Sequence, residues 1–230
     1  MHTPDWLLSA LQLGDSFFPS SAFAYSWGLE TYVSEGRVKD RNRLMDFVRS
    51  YLTGLVKRCD CIFVKLSYEL SKSGDIENLI RIDRLLHSMK PAREIRDGSL
   101  QTGRQLLQVI LSLYESTLLA SVLERIKKKE MHGHQPIIFG MVCPVMGIPL
   151  ESAIPVYLYS IVSSITSAGV RLIPLGHTDA QRTINGMKPL IMKISEEVKC
   201  LGESDIHSFA HALEIGAMRH ERLATRLFKS

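Results

Sequence analysis

Apolar residues recur every three or four positions through most of the chain, and that spacing constrains the fold more than any other feature. Leu44, Phe47, Val48, Tyr51, Leu52 and Leu55 form one such stripe, and Ile154, Leu158, Ile161, Ile165, Ala168 and Leu172 form a longer one. Side chains at these intervals share one face of an α-helix, which must then be buried against a neighbour. Behind the second stripe stand Ser160, Ser163, Ser164 and Ser167, small enough to let another helix approach from the far side. This helix is therefore expected to pack on two faces. Further helices are expected over 6–13, 23–34, 62–71, 75–88, 92–127, 137–146, around Ile184 and over 190–201. No run alternates apolar and polar residues between hairpin signals, which excludes an extensive sheet. The expectation is an all-α protein: a single-domain bundle or array of about ten helices over 1–230, with a mobile C-terminal tail from about residue 217.

The breaks carry recognisable chemistry. Pro91, Pro149 and Pro189 each stand where a helix could begin, because the first turn tolerates a residue without an amide hydrogen. Asp75, after Gly74, is placed to accept from the unpaired amides of a first turn. Thr178 and Gln181 have the spacing of a capping box, which predicts a sharp, well-fixed turn from Pro174 to Thr178. Lys127, Lys128 and Lys129, followed by Gly133, read as a solvated loop between two halves of one array. No repeat of fixed period and no long linker divides the chain.

A chain of 230 residues can bury roughly 70–75% of its unfolded surface. With 45% hydrophobic and 23% charged residues it does not have the composition of a disordered or low-complexity protein. Its 28 basic and 24 acidic residues leave a net +4, too small a surplus to imply nucleic acid. The cysteines at 59, 61, 143 and 200 are too few and too irregular for a disulfide scaffold, which fits a reducing, cytoplasmic compartment. Met1 to Asp5 lack the basic and apolar regions of a secretory signal. Between Met131 and Val170 the only formally charged residue is Glu151, yet the serines of 152–167 and the prolines at 136, 144 and 149 argue for a buried helix rather than a membrane span.

Catalytic signatures are missing. The sequence has no phosphate-binding loop of the G-x-x-x-x-G-K type, no G-x-G-x-x-G and no G-x-S-x-G elbow, so nucleotide hydrolysis and acyl transfer have no visible machinery. For metals, His207 and His211 are four apart and would share a face on a helix, while His132 with His134 and Cys59 with Cys61 offer further donor pairs. Two donors fall short of the about four ligands a transition metal takes, so these histidines read as surface or helix-end residues, the 132–134 pair in a flexible loop.

Two segments ask for more than a structural reading. Phe17, Phe18, Pro19, Phe23, Tyr25 and Trp27 crowd aromatics around a proline turn, either as a local core or as an exposed patch with Trp27 facing out. At the other end, Met218 to Ser230 is both basic and apolar, a composition suited to folding against a partner through Arg-rich contacts anchored by Phe228.

These segments also carry a resemblance. Leu11 to Glu30 reads L-x-L-x-D-S-x-F-P and then F-A-Y-S-x-G-L-E; the stretch from Arg171 reads R-L-I-P-L-G-H-T-D-A-Q; the C-terminus reads M-R-H-E and then R-L-F-K-S. A weaker match covers Arg93 to Leu107, with Gln101, Gly103 and Arg104 in register. In order and spacing, over nearly the whole chain, these motifs resemble the urease accessory protein family UreF. Two departures are Ser20 and Ser21, where many relatives carry a glycine, and His177, where glutamine is common.

The resemblance implies a helical protein that is not an enzyme and carries no cofactor or resident metal. UreF-like proteins form homodimers that bridge the UreD or UreH scaffold and the GTPase UreG, so that nickel reaches the apo-urease. On this reading Arg219, His220, Glu221, Arg226, Leu227, Phe228 and Lys229 order on UreD or UreH. Pro174, Leu175, Gly176, Thr178, Asp179 and Gln181 lie near the UreG-facing surface. An adaptor without a nucleotide loop acts on a GTPase by preferring one of its conformations, or by lending it a side chain. The competing classes are a helical ligand-binding or regulatory domain, with 154–172 lining a pocket, and a weak nickel-binding protein. No nucleic acid and no membrane is expected as partner.

Overall fold

A computed structural model describes residues 5–15, 18, 24–208, 210–223 and 225–229. The proline turn with Phe17, Pro19, Ser20, Ser21 and Phe23 lies outside the described residues. Among those described the regular structure is helical, with no strand: α1 (Asp5–Gly14), α2 (Leu29–Ser34), α3 (Arg41–Tyr51), α4 (Cys61–Ser73), α5 (Ile76–Ser88), α6 (Arg93–Leu113), α7 (Thr117–Lys127), α8 (Gln135–Val145), α9 (Leu150–Leu172), α10 (His177–Lys199) and α11 (His211–His220). A π-helical segment, Leu52–Asp60, joins α3 to α4 as one rod.

The centre is α9, and the 154–172 stripe explains why. Ile154, Leu158, Ile161, Ile165 and Ala168 are buried, and α9 packs against α10, α1, α4, α3, α8 and α2. It is long and apolar enough to cross a membrane, yet more than half of its apolar window is buried inside the protein. The small face works as expected: Ser164 Oγ accepts from the Trp27 indole N–H at 3.2 Å. Trp27 thus faces inward, 6% exposed, because its polar edge finds a partner there. Across the centre α8 crosses α4 so closely at Gly140 that a Cβ there would collide with Ser67 Oγ and Val64 O. All but the ends of α8 is buried, hence its unbroken apolar composition.

The breaks follow the sequence unevenly. Asp75 caps α5, its Oδ1 accepting from Asn78 N–H at 3.1 Å, and Pro149 precedes α9 as its N-cap. Pro189 lies inside α10 rather than at its start, on an exposed face, and contributes no amide hydrogen to the helix. The 92–127 stretch is two helices, since Ser116 Oγ accepts from Leu119 N–H and starts α7 anew. The capping box does not form: α10 begins one residue before Thr178, with Gly176 as an N-cap that has no side chain to offer. Nor do His207 and His211 share a helix, because His207 sits in the preceding loop, its N–H donating to Arg58 O, and His211 opens α11. The loop carrying His132 and His134 is clamped rather than flexible: His134 is fully buried.

Candidate functional site

The segments that stand out in the sequence are far apart along the chain, and the fold gathers them at one end. Two glutamates organise this end. Glu30 lies in the first turn of α2, which starts from Gly28 at φ +85°, a backbone angle that favours glycine. Glu94 lies in the first turn of α6. Both carboxylates point at His220, the last residue of α11, from opposite sides of its ring. Nδ1 is 2.6 Å from Glu94 Oε2 and Nε2 is 2.9 Å from Glu30 Oε2. The imidazole is fully buried and each of its nitrogens meets a carboxylate oxygen, so both sides of the ring are engaged.

The residues after α11 fold back over the same acids. Leu227 N–H donates to Glu30 Oε1 at 2.6 Å and Phe228 N–H to Glu30 Oε2 at 3.0 Å. Arg226 Nη1 donates to Glu94 Oε1 at 3.1 Å, and Lys229 N–H to Ala24 O at 2.9 Å. Glu30 therefore holds three nitrogen groups from the C-terminal segment. Buried carboxylates lose their hydration, and such a set of charge-assisted bonds is what offsets that loss. The Phe228 ring is 5% exposed and lies under the Arg171 guanidinium, 4.2 Å from ring centroid to Cζ. On the rim, Arg93 reaches Glu221 at 3.0 Å and Arg219 reaches Glu35 at 3.2 Å. Close helix contact completes the seat: a Cβ on Gly216 would meet Tyr32 Cε2 at 2.5 Å.

The expected mobile tail is thus packed in this structure as far as Lys229. Its hydrophobic anchor is Phe228, whereas Leu227 is 63% exposed and offers only its amide to the protein. The turn before α10 lies next to this seat, because Arg171 stands three residues before Pro174. Pro174, Gly176, Thr178 and Gln181 are exposed, Asp179 is half-buried and pairs with Arg182 at 3.4 Å, and Leu175 packs on the core. The weaker motif joins from α6: Tyr25 O–H donates to Gln101 Oε1 at 2.6 Å. Glu30 and Glu94 lie inside the motifs that carry the resemblance, yet an acid in the first turn of a helix does not by itself say what it receives.

Elsewhere among the described residues the cavities are small or open. Asp60 and Lys90 pair at 2.8 Å and Tyr157 O–H donates to Asp60 Oδ2 at 3.2 Å. Burial and the Asp60 charge push the Cys59 thiol up to about 12, so it stays a neutral thiol. The enclosed cavity beside this pair measures about 30 Å³, room for about one water. The larger depression, about 410 Å³ over Gln101, Arg104 and Gln108, is an open polar groove. The first is too small for more than a water and the second is polar and open, so neither is shaped as a small-molecule site. Among the described residues no group of three or more His, Cys, Asp or Glu is arranged to hold a metal ion.

Comparison with known proteins agrees with the motifs. The UreF family profile matches residues 38–188. The urease accessory protein UreF of Bacillus sp. (strain TB-90) is 34% identical over 224 residues, covering 97% of this chain and 99% of the relative. That of Sporosarcina pasteurii is 34% identical over 202 residues, 88% of this chain and 100% of the relative. That of Lachnoclostridium phytofermentans is 33% identical over 226 residues, 98% and 99% of the two chains. The profile covers the helical centre and the relatives extend over both termini that build the Glu30–His220 seat, so the chain belongs to the UreF family of urease accessory proteins.

Proposed function

We propose that this accessory protein is a non-catalytic adaptor that links the UreD or UreH scaffold to the GTPase UreG, so that nickel, the cargo, is inserted into apo-urease. It acts as a cytoplasmic homodimer and biases the conformation of the GTPase rather than lending it a reactive group. The observation that carries this reading is the convergence of four sequence-distant segments on one end of a helical array whose cavities, among the described residues, are small or open. A surface assembled from α2, α6, α11 and the C-terminal segment, flanked by the 174–181 turn, is a shape suited to another protein. The residues from Arg219 to Lys229 face UreD or UreH, and the turn from Pro174 to Gln181 faces UreG.

Co-expression with UreD or UreH and UreG tests this. The full chain should be retained in a ternary complex and support urease activation. A chain ending at Glu221 should keep its helical circular dichroism, lose the scaffold protein and leave urease inactive. Full activation by that truncated chain overturns the reading.

A further inference from the structure

The C-terminal seat is not the only buried cluster of titratable groups. A second one closes the connection between α7 and α8, and it uses three histidines. His87, one turn beyond Asp83 on α5, has its ring stacked on His132 at 3.7 Å between centroids and 6° between planes. Its Nδ1 is 3.0 Å from His134 Nε2, and His134 Nδ1 is 3.1 Å from Ser99 Oγ on α6. Asp83 receives the backbone N–H groups of His132, Gly133 and His134, the last at 3.0 Å, so one carboxylate fixes three consecutive amides. From the other side Gln135 N–H donates to Ser99 Oγ and Arg104 Nε donates to His132 O.

We infer that this connection, residues 128–134, is a histidine clasp that is closed at neutral pH and opens on mild acidification, freeing the N-terminus of α8. The reason is the proton count. One proton between His87 and His134, and one between His134 and Ser99, satisfy the chain of ring nitrogens with every imidazole neutral. An added proton puts a cation into a stack of imidazoles whose neighbours are mostly basic. His87 faces Arg96 from α6, with Asp97 and Asp83 as its acidic neighbours, and His134 faces Lys90 and Arg104. Arg84 of α5 is already held on Glu130 O.

Burial, then the neighbouring His132 and Arg96, hold His87 below its ordinary value, and burial with Lys90 pushes His134 down to about 2. A base depressed in the closed form binds its proton only on opening, so the clasp is stable above the ordinary histidine range and weakens as pH falls through it. Asp83 works the other way. Burial raises it, so it takes its proton more readily when closed and opposes acid opening. A fall in stability with acid must therefore come from the histidines.

Amide exchange of the full chain between about pH 7 and 5.5, corrected for intrinsic rates, reads this directly. Protection at His132, Gly133 and His134 should drop by about eightfold over this interval for each proton taken up on opening, the slope steepening below about pH 6.5, while the amides of α9 keep theirs. His87→Gln retains a donor to His134 without titrating and should flatten the slope by one proton. Ring-proton titration of the unmutated protein guards against a folding defect in that variant: His87 and His134 should both titrate below about 6.5. Protection that does not change with pH, an undiminished slope in His87→Gln, or ring titration at or above that value overturns the inference.

Discussion

The helical centre and the C-terminal seat are held together by different forces. Around α9 the contacts are apolar: Phe63, Leu107, Ile137, Met141 and Leu158 are all fully buried. At the seat, by contrast, five nitrogen groups from His220 to Phe228 converge on Glu30 and Glu94. Apolar burial adds up over area and is not weakened by ionic screening. A buried charge cluster is less forgiving, since removing one of its buried partners leaves the others unsatisfied, whereas an exposed partner such as Arg226 can be replaced by water. Forces of such different kind predict that the seat opens at a lower cost than the centre, a separation that single substitutions test.

The largest effect belongs to the centre. Phe63→Ala removes a fully buried ring and should cost about 3–5 kcal/mol of unfolding free energy in urea, with the same cost at low and high salt. A cost below about 1 kcal/mol would mean that the centre is loosely packed and the contrast is false.

Next comes Glu30→Ala. It strips His220 of one carboxylate and leaves the Leu227 and Phe228 amides without an acceptor. Each orphaned buried group costs about 1–3 kcal/mol, but release of the segment into water caps the total. We expect a global loss of about 2 kcal/mol together with complete loss of amide protection at Leu227 and Phe228, while α9 keeps its own. If protection falls equally in α9 and at the seat, the two regions unfold as one and the comparison is broken.

How much of this could be read beforehand divides along the same line. The apolar stripes announced α3 and α9, because an apolar face at helical spacing has only one way to be buried. Asp75 announced the start of α5 for an equally local reason. The seat was not legible in that way. Glu30, Glu94 and His220 are separated by more than sixty residues each, and nothing local says that two acids share one imidazole. A basic and apolar C-terminus instead reads as a mobile segment that folds against another protein, since the sequence pattern does not show that its acidic acceptors lie on this same chain. The clamped loop misled for the same reason: Lys127 to Gly133 looks soluble, and the Asp83 that fixes it lies some fifty residues earlier. Thr178 and Gln181 had capping spacing, but the helix began one residue too early to use it.

The smallest stability effect is the most informative about function. Arg226 is half exposed and meets Glu94 at 3.1 Å, so Arg226→Ala should cost only about 0.5 kcal/mol, and less still at about 1 M salt. Its tail would remain seated by Glu30 and Phe228. If the segment serves the fold alone, an effect of this size leaves urease activation untouched. If it is the adaptor's contact with the scaffold protein, activation and retention of UreD or UreH should fall sharply while unfolding in urea barely moves. Phe228→Ala controls for packing, because it loses both the buried ring and its contact with Arg171 and so should lower stability and retention together. The two variants separate recognition from cohesion: equal retention by the Arg226→Ala protein and its parent would return the arginine to the ordinary role of an exposed ion pair.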